Sequence, residues 1–122
     1  MKLSNQSHTK RDPRYDGPYG CSVGATLSVI GGRWKPRIIF QLMETEVLRF
    51  GQFRKAIPEV TQKILTAQLR ELEEDKIISR KVYPEVPPRV EYRLTDYGKS
   101  LEPVMLLLRD WGADHIDKTG VK

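Results

Sequence analysis

Gln62, Lys63, Thr66 and Arg70 recur at the spacing that gathers side chains on one side of an α-helix. An amide and two cations can donate to the edges of bases. A threonine can donate, accept or touch a thymine methyl. This set offers recognition of a polyanion by hydrogen bonding, not bond making or breaking. No rival catalytic arrangement is readable elsewhere. There is no Walker-type or dinucleotide Gly-rich loop, since Gly31-Gly32 is too short and follows a helical stretch. Glu71, Glu73, Glu74 and Asp75 read as a solvated helix end. His8 and His115 stand apart from any cluster with metal-ligand spacing, so no metal and no cofactor are expected. The chain does not read as an enzyme.

The elements that must position these residues follow from local signals. Thr61 is a good N-cap, and the helix after it buries Leu65, Leu69 and Leu72 on one face, flanked by Ile64 and Gln68. Lys63, Thr66, Ala67, Arg70 and Glu74 share the opposite face, polar or basic first and acidic later. A recognition helix enters a groove with its N-terminal half, which matches that order. Gly51 to Ile57 forms a brief preceding helix that Pro58 stops. Arg54 and Lys55 on it are candidates for phosphates. Ile77–Tyr83 and Val90–Leu94 are β-branched and aromatic-rich strands around a Pro-rich loop, Pro84 to Arg89. On this hairpin, Arg89 at a stiff tip and Lys81 could reach DNA backbone or minor groove. Helix plus adjacent ribbon is the layout of a winged helix-turn-helix.

The remaining segments suit one domain of 122 residues. Residues 1–20 read as a flexible basic arm carrying Lys10, Arg11 and Arg14. Residues 21–119 read as the folded domain. Val23–Ile30 forms a short helix ended by Gly31-Gly32, and Trp34–Met43 a second with Pro36 in its first turn. Val47–Phe50 is extended. Thr95 caps a long C-terminal helix, with Pro103 in its first two turns or else at a kink. Tyr97, Leu101, Val104, Met105, Leu108 and Trp111 follow helical spacing there, and Leu106 and Leu107 widen the stripe past one face. A stripe that wide needs a second partner. The expectation is a homodimer built from Val23, Leu27, Leu101, Met105, Leu108 and Trp111.

The fold class is α+β, mainly α, with a two-stranded wing and additional N- and C-terminal dimerisation helices. The net charge of +5 suits a polyanionic partner. No apolar run approaches membrane-spanning length and no apolar signal segment is present, so a membrane partner is not expected. A lone cysteine, Cys21, suits a reducing cytoplasm.

Taken in order, several segments make the chain resemble the HxlR-type winged-helix transcription regulators, relatives of the MarR group. They are Cys21-Ser22-Val23, Gly31-Gly32-Arg33-Trp34, Arg49 to Arg54, Thr61 to Thr66, Leu69 to Asp75, Tyr83 to Tyr92, Leu94-Thr95 with Gly98, and Trp111-Gly112. The likeness spans roughly residues 21–115. It implies a cytoplasmic dimeric regulator on a pseudo-palindromic operator, each subunit placing one helix in a major groove. Where the family commonly has Asp-Gly, this chain has Asp75-Lys76; a left-handed lysine there would cost about 1 kcal/mol. In several members a cysteine located like Cys21 responds to oxidants or electrophiles. A helix N-terminus favours the thiolate, and a disulfide would join two subunits or capture a small thiol. The alternative for Cys21 is a small buried apolar residue.

The reading is a sequence-specific DNA-binding regulator, a repressor by occlusion, with double-stranded DNA as partner and a small-molecule or oxidant effector in view. The alternative is a winged-helix protein-interaction module without specific DNA binding.

Overall fold

The computed structural model describes residues 20–120, apart from the side chains of Gly20 and Cys21. The elements run α1 (Gly20–Ile30), α2 (Lys35–Thr45), α3 (Phe50–Ala56), α4 (Gln62–Glu74), β1 (Ile78–Tyr83), β2 (Arg89–Leu94), α5 (Asp96–Lys99) and α6 (Glu102–Thr119). The architecture is mainly helical with one antiparallel two-stranded ribbon, as a winged helix-turn-helix requires. Apart from Gly20, the expected N-terminal arm lies outside the described residues. Helix α1 begins at Gly20, earlier than Val23, so Cys21 falls inside its first turn.

Local chemistry explains the helix-turn-helix. The Gln52 side chain accepts the Arg49 backbone N–H at 2.8 Å and opens α3. The Ile57 N–H still donates to Phe53 O at 2.8 Å, and Pro58 then supplies no N–H to continue. Thr61 Oγ1 accepts the Ile64 N–H at 3.1 Å, capping α4 as expected. Leu65, Leu69 and Leu72 are buried together with Ile38, Ile39 and Leu42 of α2, Phe53 of α3, and Ile78 and Leu94 of the ribbon. Leu48 makes reciprocal backbone bonds with Tyr92 (3.0 and 2.8 Å), so the extended piece before α3 adds a one-residue third strand.

The corner between α4 and β1 is tightly specified. The Ile77 N–H donates to Leu72 O and the Lys76 N–H to Glu73 O, each at 3.0 Å, around a left-handed Lys76 (φ 66°). This is a Schellman helix stop with lysine at the position that glycine usually holds. Thr95 Oγ1 donates to Lys76 O at 2.6 Å and accepts the Gly98 N–H at 2.8 Å. A Cβ on Gly98 would stand 2.0 Å from Ile77 O, so only glycine lets α5 seat against this corner.

Two expectations need correction here. Thr95 caps the four-residue α5, not a long helix; the chain turns at Ser100-Leu101, and α6 starts afresh with Pro103 in its first turn. Proline fits there because a first-turn N–H has no helical partner. Met105 was expected at a subunit interface, yet it is 0% exposed within the monomer core. Helix α6 lies beside α2 and buries Met105 in the core, while Val104, Leu106, Leu107, Leu108 and Trp111 stay exposed. Leu101 is half-buried against the core.

Two substitutions test the corner. Lys76→Gly should raise unfolding stability by about 1 kcal/mol, relieving the left-handed side chain. Gly98→Ala should lower it. Both are read as urea midpoints at unchanged m-value.

Candidate nucleic-acid interface

Burial of the three leucines turns the rest of α4 outward. Gln62, Lys63, Thr66, Ala67 and Arg70 are all exposed. Among the described residues neither Lys63 nor Arg70 has an ion pair or hydrogen bond. Many other cations near the fold's joints are engaged, whereas these two stand without a paired carboxylate among the described residues. Arg54 and Lys55 are likewise exposed and unpaired among the described residues, on the last turn of α3. A cation-bearing helix face beside cations on the preceding helix fits base edges and flanking phosphates together.

Two ion pairs steady that presentation, and sequence reading found neither. Lys35, only 7% exposed, places Nζ 2.6 Å from Glu71 Oε1 and so ties the start of α2 to the last turn of α4. Arg37 binds Glu59 in the turn before α4, at 3.1 Å to Oε1. A backbone hydrogen bond at Glu59, and then the Arg37 guanidinium, hold the Glu59 carboxyl below the ordinary carboxylate range. Both pairs join residues far apart in sequence, which leaves no local signal.

The wing differs in detail from its expected form. Its register pairs Arg80 with Tyr92 and Tyr83 with Arg89. Alternation then puts Ile78, Arg80, Tyr92 and Leu94 on the face toward the helices. Lys81, Tyr83 and Arg89 take the opposite face, with Lys81 Nζ 4.9 Å and Arg89 Cζ 3.9 Å from the Tyr83 ring centre. Arg89 is not a free arginine at the tip. It begins β2, pairs with Glu85 at 3.2 Å, and lies 3.9 Å from Glu91 through Nε. That distance compensates charge without a hydrogen bond, leaving the buried Nε unsatisfied. Arg89 therefore braces the loop against Tyr83. The loop itself carries a cis Val86–Pro87 bond.

Between α4 and the wing lies an open cleft of about 380 Å³, lined by Thr66, Leu69, Arg70, Glu73, Glu74, Arg80 and Tyr92. Tyr92 packs edge-on against Phe53 with ring centres 5.9 Å apart. Burial raises the Tyr92 hydroxyl pKa, so it stays a neutral donor. Arg80 was missed in the sequence although the signal was present: it stands two residues after buried Ile78 and must share its face.

Cys21 sits on α1, far along the chain from this face, and its side chain lies outside the described residues. No group of acidic, histidine or cysteine residues among those described could hold a metal ion.

Comparison with known proteins fits this geometry. Residues 29–120 match the HxlR-like helix-turn-helix family. An HTH-type transcriptional regulator of Bacillus subtilis (strain 168), YdeP, is 52% identical over 102 residues, covering 81% of this chain and 79% of that protein. An HTH-type transcriptional regulator of Methanothermobacter thermautotrophicus is 45% identical, covering 100% of this chain and 95% of its own. The redox regulator HypR in its reduced form superposes with a TM-score of 0.75 at 47% identity, covering 78% of this chain and 93% of that one.

Lys63→Ala should weaken binding to a specific duplex by about 1–3 kcal/mol and relax specificity at one base position if Lys63 reads a base. If it contacts a phosphate, the loss should be uniform across sequences with a smaller salt slope. Titrations at several salt concentrations that show neither change would remove Lys63 from the interface.

Proposed function

The chain belongs to the HxlR-like helix-turn-helix family and is a DNA-binding transcriptional regulator of that type, and from that premise we propose that it acts as a cytoplasmic homodimeric repressor on a pseudo-palindromic operator. The observation that carries this reading is the unpaired, exposed face of α4, held outward by a fully buried opposite face. Gln62, Lys63, Thr66 and Arg70 read base edges from it. Arg54 and Lys55 meet phosphates on one flank and Lys81 serves the wing.

Dimerisation is supported by apolar surface that the monomer leaves in water. Val23 and Leu27 of α1 are 52% and 43% exposed; Leu107 and Trp111 of α6 are 69% and 70% exposed. Burying a fully exposed Val or Leu side chain gains roughly 1.5–3 kcal/mol, and these still have about half or more of that surface to bury, so two copies covering these faces gain from several at once. A dimer also presents two α4 helices to half-sites one helical turn apart. No helix among the described residues is long and apolar enough to cross a membrane.

Regulation by an oxidant or electrophile is supported by the likeness to HypR, a redox regulator, and by the placement of Cys21 in the first turn of α1. The two Cys21 residues of a dimer would then be the reacting thiols, coupled to the same helices that set subunit spacing.

Anisotropy of labelled DNA from upstream of the protein's own gene, against scrambled competitor, tests the reading. Competitor-resistant binding is expected, sensitive to oxidant in the natural protein and insensitive in Cys21→Ser. Weak binding equal on all sequences would favour the protein-interaction alternative. Trp111→Glu should shift sedimentation from dimer toward monomer and lower operator affinity with it. A variant that stays dimeric would move the interface elsewhere.

A further inference from the structure

Arg80 has no assigned role, yet it occupies the wall of the cleft that faces α4. Its Nε lies 3.5 Å from Glu73 Oε2, beyond a good hydrogen bond, and both side chains keep substantial solvent access (48% and 38%). Among the described residues this is the one ion pair of Arg80. The α4 side of the cleft carries Thr66, Arg70 and Glu74, and Tyr92 belongs to its lining as well. Two guanidinium groups, a threonine hydroxyl and a phenol thus line one open space together with two carboxylates, of which Glu73 is loosely paired to Arg80 and Glu74 is not. Thr66 and Arg70 belong to both this cleft and the outer face of α4. If α4 enters a groove by that face, the cleft opens beside it, toward a bordering strand.

We propose that this cleft seats a backbone phosphodiester of the bound duplex, with Arg80 as its principal ligand and Glu73 as an internal competitor. In the free protein Glu73 holds Arg80 in a weak pair. On DNA, Arg80 exchanges that carboxylate for a phosphate oxygen, a geometry that suits a planar guanidinium better. Glu73 thereby limits how tightly any duplex is held, whatever its sequence, and leaves discrimination to the base-reading side chains. This assignment rests on the DNA-binding reading above.

The test compares natural protein, Arg80→Gln, Glu73→Gln and the double variant on the upstream duplex and on a scrambled duplex of the same length, across a salt series. Arg80→Gln should weaken both complexes several-fold and equally, and reduce the slope of log affinity against log salt by about 0.9, the loss of one phosphate contact. Glu73→Gln should tighten both complexes, and that gain should vanish in the Arg80→Gln background. Near-ultraviolet circular dichroism checks that each variant is folded; Glu73→Gln, which removes only a charge, carries the test if Arg80→Gln is not. An unchanged slope in Arg80→Gln, or an equal Glu73→Gln gain with and without Arg80, overturns the phosphate seat while the DNA-binding reading stands. Natural protein that binds neither duplex overturns both.

Discussion

Leu65, Leu69 and Leu72 give up essentially all of their surface to the core, and that burial permits one rotation of α4 about its axis. Every other feature of the interface depends on it. With the leucine face inward, Gln62, Lys63, Thr66 and Arg70 have no direction but outward. Truncating one such leucine costs about 2–5 kcal/mol, a large share of the stability of a small domain. The recognition face is thus enforced by the same packing that makes the domain fold. Thr61 at one end and the Schellman stop at the other fix where the helix begins and ends. Thr95 and Gly98 then clamp that stop, so the wing leaves α4 in one direction.

Charge follows a division that burial alone would not produce. Lys35 and Arg37 bridge α2 to α4 and to the turn before it. Glu85 and Glu91 with Tyr83 absorb Arg89. The cations of the α4 outer face and the end of α3 have no such partners among the described residues. The pairs Lys35–Glu71 and Arg37–Glu59 orient α4, and Lys63, Arg70, Arg54 and Lys55 stay open to a polyanion. Arg80 stands between the two groups, held loosely enough to change partners.

Much of this was legible because its causes are local. The Thr61 cap, the stop at Pro58, the leucine face of α4 and the alternation of the ribbon each act within a few residues, and each sets an element and its exposed side. The Asp75-Lys76 departure pointed to a left-handed residue, and Lys76 adopts it. The misreadings have equally definite causes. Thr95 and Pro103 are both helix-start signals, but a continuous apolar stripe masked the break between α5 and α6. That stripe does not say which side meets the monomer's own core, and Met105 has the same spacing as its outward neighbours. The bracing of Arg89 has no signal in the sequence, because Glu85, Glu91 and Tyr83 become its neighbours only once the hairpin closes. Lys35–Glu71 joins two helices across the core, and no spacing rule reaches that far.

The central claim is that the outer face of α4 lies in a major groove. The most direct measurement is a photo-crosslinking side chain installed at Ala67, which is exposed in the middle of that face, against a control at exposed Glu44 near the end of α2. With a duplex that binds specifically, irradiation should join Ala67 to bases at a few positions per half-site and leave the Glu44 control uncrosslinked. Absence of base crosslinks from Ala67 in a complex shown to be formed would contradict the claim and place the DNA on another surface.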